Sequence, residues 1–235
     1  MACRSWYPRG MRGSIETVVD AGLPYRAGMG DAGSVRDWVM EGPGRTEFAD
    51  GWMTMDSPDG GGHFTYWCPR PFPGSFLAEW DAQCLDAELG LCIVFFAARG
   101  PGGEDLFDAR LPRRTGLFPD YTMGLRCYHV SYYANTPDEP RRATSNMRRN
   151  PGAHVVAQGP VAIPWDSTAV HRLRLLKDGA RVRLEADGVA FIDWADDGAL
   201  GPALGDGWIG LRQMRWTRFR YRDFRVSAAL TPPHA

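Results

Sequence analysis

The sequence contains almost no lysine, and it has almost no net charge. Lysine and arginine together number 27 among 235 residues, and Lys177 is the single lysine. Aspartate and glutamate number 28, which leaves a formal charge of −1. A protein devoted to DNA or RNA normally carries a basic excess, so the balance argues against a nucleic-acid partner. The excess of arginine, with its planar fork of donors, suits recognition of carboxylates instead.

Long apolar runs and paired cysteines are also missing. No stretch approaches the ~18 apolar residues of a membrane-spanning helix, and the N-terminal MACRSWYPRGMRG lacks the apolar centre of a signal peptide. The five cysteines are odd in number and form no CxxC pair, which argues against a metal cluster or a disulfide scaffold. These features predict a cytoplasmic protein that has no membrane partner and requires no cofactor. A structural Ca²⁺ would need converging oxygens, for which the sequence offers only the acidic loop at Glu104, Asp105 and Asp108.

Helical periodicity is almost absent. Residues 31–40 predict one short helix, and strand patterns dominate from about residue 64 onward. In residues 75–83 the apolar Phe76, Ala78, Trp80 and Ala82 alternate with the half-polar Leu77, Glu79, Asp81 and Gln83. The apolar run 91–98 predicts a strand that is buried on both faces.

The C-terminal third contains the clearest pattern. Strands are predicted over 170–176, 181–186 and 189–194, with turns at Lys177-Asp178-Gly179 and Asp187-Gly188. Two further strands follow over 208–213 and 217–226, and the alternation of the last one shifts near Asp223, as it does at a β-bulge. Many short antiparallel strands joined by tight turns indicate a sandwich or a barrel.

The segments VHRLRLLKDG, RVRLEADGVAFIDW, GWIGLRQM and YRDFRV together resemble the concanavalin-A-like lectin/glucanase jelly roll. The resemblance implies an all-β sandwich of two antiparallel sheets with few short helices. We expect one domain over residues 1–235. In this division, residues 1–63 form an N-terminal strand and covering segments, 64–228 form the main sandwich, and 229–235 form a tail.

The densest polar segment runs from Tyr121 to His154. Residues 128–134 predict a strand with Tyr128, Val130 and Tyr132 on one face and His129, Ser131 and Tyr133 on the other. The following loop carries Arg141, Arg142, Asn146, Arg148, Arg149 and Asn150. Arginine and asparagine can hold a carboxylate, and histidine and tyrosine can transfer protons. A solvated basic loop beside a tyrosine-rich strand explains the same residues, and both interpretations stay open.

Glu79 and Asp81 share one strand face, about 6–7 Å apart, which is a spacing compatible with acid/base chemistry on a sugar. Retaining glucanases of the jelly-roll class have three alternating acids, and the third position here is the amide Gln83. Simple pairing of the two carboxylates with nearby arginines is an equally good interpretation.

Aromatic and polar side chains that could contact sugar rings lie near the end of the penultimate strand and in the polar segment. They are Arg212, Gln213, Arg215, Trp216 and Tyr121, with Trp80, Trp165 and Trp194 as further stacking surfaces, although most tryptophans of a sandwich belong to its core.

Six segments that together span most of the chain resemble the YesU-like bacterial family of unknown function. They are AEWDAQ, GLCIVFFAARG, GEDLFDARLPRRTGLFPDYT, YHVSYYANT, ATSNMRRNPGAHVVAQGP and GLRQMRWT. The resemblance implies a concanavalin-A-like sandwich and a role in polysaccharide use, but it brings no settled catalytic residues.

Three functions remain open. In the first, an imported acidic oligosaccharide or glycoside is cleaved by β-elimination. Arg142, Asn146 and Arg148 then hold the uronate, His129 or His154 is the base, and Tyr133 or Tyr128 is the acid. In the second, Glu79 and Asp81 serve a glycoside hydrolase. In the third, the protein is a non-catalytic, lectin-like sugar binder. The sequence is compatible with a homo-oligomer.

Overall fold

The computed structural model describes residues 25–58, 61–86 and 89–228, and in these residues the chain is built almost entirely of β-strands. The helical elements there are α1 (Phe118–Thr122) and a 3-10 turn at Ala32–Val35. The strands are β1 (Tyr25–Ala27), β2 (Val39–Glu41), β3 (Arg45–Ala49), β4 (Trp52–Asp56), β5 (Phe64–Trp67), β6 (Ser75–Cys84), β7 (Gly90–Arg99), β8 (Arg126–Asn135), β9 (Thr144–Asn150), β10 (His154–Pro160), β11 (Val170–Asp178), β12 (Arg181–Ala186), β13 (Val189–Ala195), β14 (Trp208–Gln213) and β15 (Phe219–Ala228).

The strands form two antiparallel sheets. The front sheet has seven strands in the order β10-β9-β8-β7-β14-β5-β2. The back sheet has eight strands, in the order β13-β12-β11-β6-β15-β4-β3 with β1 added beside β15. This arrangement confirms the predicted all-β sandwich.

The apolar faces of the two sheets meet in one large core. Trp80 and Phe76 of β6 face inward, as the alternation predicts, and they join Phe96 of β7 and Leu211 of β14 in the same cluster. The other face of β7 is also buried, because Ile93 and Phe95 belong to a second apolar cluster outside the sandwich. Strand β7 is therefore covered on both sides, as its continuous apolar run predicts.

The turns predicted from Asp-Gly pairs are confirmed. Asp187 and Gly188 both have positive φ values, +52° and +78°, which is the conformation that a tight β12–β13 hairpin requires. The predicted bulge in β15 is also present, since its register against β6 shifts between Arg222 and Arg225 and Asp223 has a φ of +53°.

Three expectations about the chain need correction. The segment before residue 64 contributes four strands, β1–β4, because its short runs pair with β15 and β5 or with each other. Residues 31–40 form only the 3-10 turn before entering β2. The arginine-rich segment predicted as a loop is mostly strand β9. The described residues do not include the expected tail or the first 24 residues, among which is Cys3. The cysteines at 68, 84, 92 and 127 are free thiols, and all four are buried.

None of the described helices has the length and apolar character needed to cross a membrane.

Candidate functional site

The outer face of the front sheet has a continuous row of side chains on all seven strands. Cα pairing places its members directly opposite one another, so they point to the same side. From one edge to the other the row is Gln158, Asn146, Ser131, Ile93, Arg212, Thr65 and Glu41. The next row on the same face is Val155, Arg148, His129, Phe95, Gly210, Trp67 and Val39.

One half of this face is covered by residues 100–125, which we call the covering segment. Its Leu106, Tyr121 and Leu125 pack with Trp67 and Phe95 in the second apolar cluster. Buried polar contacts hold it in place: Arg114 donates two hydrogen bonds of 2.6 and 3.0 Å to Glu41, and Arg212 Nη2 donates to the Gly116 carbonyl at 2.8 Å. The chain therefore uses this segment to close the β5–β14–β7 side.

The β8–β10 half of the face carries polar groups, which we call the polar strip (Ser131, Arg142, Asn146, Arg148 and Gln158). Arg142 Nη2 donates to Ser131 Oγ at 2.5 Å, and Gln158 Nε2 donates to Asn146 Oδ1 at 2.9 Å. Asn146 Nδ2 has no partner among the described residues. Arg148 uses only Nη1, which donates to the Ala153 carbonyl at 2.9 Å. Unused donors therefore remain on neighbouring positions of one strand.

His129 lies directly opposite Arg148 and is only 2% exposed. Asn150 Oδ1 accepts from Ala153 N, so its Nδ2 donates to His129 Nδ1 at 2.9 Å and leaves the ring proton on Nε2. Burial, and then the charges of Arg148 and Arg212, lower the pKa of His129 to about 3. The ring is therefore neutral at physiological pH, where it can donate a hydrogen bond through Nε2 but is a weak general base.

Neither candidate tyrosine joins His129. Tyr128 lies on the opposite face, as the predicted face pattern has it, whereas the predicted placement of Tyr133 on the same face as His129 is wrong. The β7–β8 register shifts between Cys92 and Ile93, and this bulge turns Tyr133 into the sandwich beside Phe219, where its hydroxyl donates to the Trp165 carbonyl at 3.1 Å. Tyr128 also faces the interior, where its hydroxyl bonds Asp196 and accepts from Leu204 N. Burial raises the pKa of both tyrosines.

The other candidates are scattered. His154 is exposed at the start of β10, while Tyr121 is fully buried in the covering segment. Arg212 is on the outer face but lies under that segment, and Gln213 faces the core, where it donates to Tyr221. Trp216 is 37% exposed in the β14–β15 connection, with Arg215 over its ring at 4.0 Å. Of the further stacking candidates, Trp80 is buried in the core, Arg141 covers Trp165, and Trp194 packs on Tyr128.

Glu79 and Asp81 lie on the outer face of the back sheet, away from the polar strip. Glu79 accepts from Arg225 at 2.7 Å and is 3.2 Å from Arg174, while Asp81 is bound by Arg172 and Arg222. Burial alone would raise the pKa of Glu79, but the hydrogen bond from Arg225 and the surrounding arginine charges lower it. A general acid needs a raised pKa, so the structure favours the pairing interpretation.

Within the described residues no three His, Cys, Asp or Glu side chains are grouped as metal ligands would be. Sequence reasoning found His129, Arg142, Asn146 and Arg148 and named Asn150 in the same segment, but it missed Gln158. Simple alternation could not place Gln158 on this face, because the β9–β10 register shifts between Val155 and Ala157.

Comparison with known proteins places this geometry in context. The profile described as "Domain of unknown function (DUF1961)" matches residues 22–226. The chain is 38% identical over 211 residues to "Uncharacterized protein YesU" of Bacillus subtilis (strain 168), covering 88% of this chain and 96% of that protein. A crystal structure of a protein of unknown function with a galectin-like fold from Bacillus subtilis superposes with a TM-score of 0.86 at 36% identity, covering 92% of this chain and all of that one. The exoplasmic/lumenal domain of VIP36, solved with Ca²⁺ and Man3GlcNAc, shares the fold at 14% identity, with a TM-score of 0.58 and coverage of 84% and 85%.

Proposed function

This chain belongs to the DUF1961 family, whose description assigns no function, and from its own residues we propose that it binds an acidic oligosaccharide on the polar strip. One observation carries the proposal. Asn146 Nδ2 and the remaining nitrogens of Arg148 are donors without partners in the described part of the chain, and they lie two residues apart on the same face of β9.

The chemistry of these donors matches a sugar acid. Hydroxyl groups bind to amide donors such as Asn146 Nδ2, while a uronate carboxylate suits the fork of an arginine. Neighbouring strands are about 4.8 Å apart, so the Ser131 hydroxyl on β8 and the donors on β9 can contact adjacent groups of one ligand. The VIP36 domain, which was solved with an oligosaccharide, supports the proposal only through its shared fold.

Isothermal titration calorimetry with trigalacturonate and with the neutral maltotriose tests the proposal. We expect Arg148→Gln to weaken trigalacturonate binding by about 10–100-fold, because a hydrogen bond to a charged group contributes about 1.5–3 kcal/mol. The control Arg181→Gln removes the same charge from the back sheet, where the side chain is 55% exposed. Equal weakening by both variants, or no binding of trigalacturonate by the wild type, would contradict the proposal.

Cleavage by β-elimination is a second candidate function, because His129 lies opposite Arg148 as that chemistry requires. The low pKa of His129 makes it a weak base, and the inward position of Tyr128 and Tyr133 means that another group would have to supply the acid. An increase in ultraviolet absorbance on incubation with uronate-containing oligosaccharides, lost in His129→Ala, is the expected result if the protein is a lyase. Binding without any absorbance change would leave it a lectin-like binder.

We further propose that the protein acts in the cytoplasm, where its ligand would be an imported oligosaccharide. Cell fractionation followed by immunodetection tests this location, and recovery of the protein outside the cell would contradict it.

A further inference from the structure

Two adjoining clefts open at the end of the sandwich where β7 ends and β8 begins. One, of about 340 Å³, is lined by Arg126, Asn150 and His154 and by the loop at Leu200–Pro202. The other, of about 380 Å³, is lined by Arg126 together with Arg99, Gly103 and Asp206. Arg126 and Leu204 line both, so Arg126 lies where the two clefts join.

The arginines around these clefts differ in what they bind. Arg99 pairs with Asp206, which neutralises it within the second cleft. Arg149 is occupied by Asp196 and by the carbonyls of Gly201 and Pro202. Arg126 makes no hydrogen bond or ion pair with any residue in the described ranges. Its Nη1 is held close to Gly103, since a Cβ added there would lie 3.4 Å away.

His154 also lines the first cleft. Its ring packs on Gly152, where a Cβ would lie 2.3 Å from Nε2, and the φ of Gly152 is +101°. A glycine is therefore needed at this turn, both for its backbone conformation and for the space that the ring occupies. The turn thus presents an imidazole to the cleft that contains the unpaired guanidinium.

The walls of the cleft combine apolar side chains with the polar Arg126, Arg149, Asn150 and His154. Pro101, Pro151, Leu200, Pro202 and Leu204 contribute to its lining. A recess of about 300–1,000 Å³ in which apolar walls accompany a few polar groups in fixed positions suits a small ligand. The C–H surface of a sugar ring fits such walls, and a carboxylate fits the fork of Arg126.

We infer that this end cleft is a second binding site, specific for the carboxylate of a sugar acid, in which Arg126 holds the carboxylate and His154 contacts the ring. The inference rests on the proposed function, because it takes the ligand class from there. The polar strip and the cleft are joined through the β9–β10 turn: Arg148 binds the Ala153 carbonyl, and Asn150, which lines the cleft, binds His129.

Saturation-transfer NMR and calorimetry with glucuronate, glucose and inorganic phosphate test the site. Wild type should bind glucuronate at millimolar concentrations and bind glucose at least tenfold more weakly, and Arg126→Gln should lose at least about tenfold in affinity for glucuronate. The matched control is Arg36→Gln, which removes an equal charge from a side chain that is 78% exposed on another surface. It should bind glucuronate as the wild type does.

Three results would overturn the inference: equal glucuronate binding by wild type and Arg126→Gln, equal weakening by Arg36→Gln, or tighter Arg126-dependent binding of phosphate than of glucuronate. The variant Arg148→Gln separates this site from the polar strip. If Arg148→Gln loses trigalacturonate but keeps Arg126-dependent glucuronate binding, both proposals hold. If trigalacturonate binding depends on Arg148 while glucuronate binding does not depend on Arg126, the polar strip stands and the end cleft is refuted.

Discussion

Replacing Glu79 by glutamine separates a structural role of this carboxylate from a catalytic one. The side chain is 10% exposed and lies within 4 Å of three arginines, at 2.7 Å from Arg225, 3.2 Å from Arg174 and 3.9 Å from Arg172. Glutamine keeps the shape of the side chain but removes its negative charge. The positive charges of the three guanidinium groups would then be less well neutralised.

The size of the effect follows from the exposure of the partners. Breaking a fully buried ion pair costs about 3–5 kcal/mol, whereas an exposed pair contributes at most about 1 kcal/mol. The three arginine side chains are between 22% and 42% exposed. We therefore expect Glu79→Gln to lower the free energy of unfolding by about 2 kcal/mol, which corresponds to roughly 4–8 °C in Tm for a chain of this size.

Thermal and urea unfolding followed by circular dichroism measure this change. Glu47→Gln is the matched control, because Glu47 is 56% exposed and 3.7 Å from Arg45; it should change stability by less than about 0.5 kcal/mol. The pKa of Glu79 is lower in the folded state than in the unfolded one. The stabilisation that Glu79 provides is therefore present at pH values above the ordinary glutamate pKa, and it is lost as the pH falls through the lowered pKa. A Glu79→Gln protein with wild-type stability that no longer releases reducing sugar would refute this reasoning and support the hydrolase.

Two further predictions concern the fold. In Gly159→Ala the new Cβ would lie 1.6 Å from the Phe191 carbonyl oxygen, so β10 and β13 must separate. We expect the free energy of unfolding, measured with urea, to fall by more than about 2 kcal/mol. A variant as stable as the wild type would show that the strands do not approach so closely. Lys177 is fully buried, with Nζ donating to the Gly74 and Gly179 carbonyls, and burial lowers its pKa to about 8. The unfolded state binds the proton of the Lys177 ammonium group more tightly than the folded state does. The free energy of unfolding should therefore rise between pH 8 and about 10.5 by up to about 3 kcal/mol relative to that of Lys177→Met. Parallel curves of unfolding free energy against pH for the two proteins would contradict this prediction.

The fold was largely predictable because its information is local. Asp187-Gly188 specifies a hairpin through backbone conformation, and the shift of alternation at Asp223 marks a bulge without reference to any partner strand. The segment before residue 64 was harder to predict, since three-residue strands such as β1 and β2 leave too short a pattern to recognise.

The candidate site was only partly predictable because it depends on non-local pairing. Tyr133 was assigned to the wrong face because the β7–β8 register shift cannot be read from the sequence of β8 alone. The burial of Arg212 and Tyr121 requires knowing that residues 100–125 fold back over β14 and β5. The arginines that pair with Glu79 lie on β11 and β15, at least 90 residues further along the chain.

The central claim, that the polar strip binds an acidic oligosaccharide, is tested most directly by mapping backbone amide chemical shifts during titration with trigalacturonate. The account predicts shift changes concentrated at His129, Ser131, Asn146 and Arg148 of β8 and β9, with the back-sheet strands β6 and β11 unchanged. Shift changes centred on Glu79 and Asp81, or none in the front sheet, would contradict it.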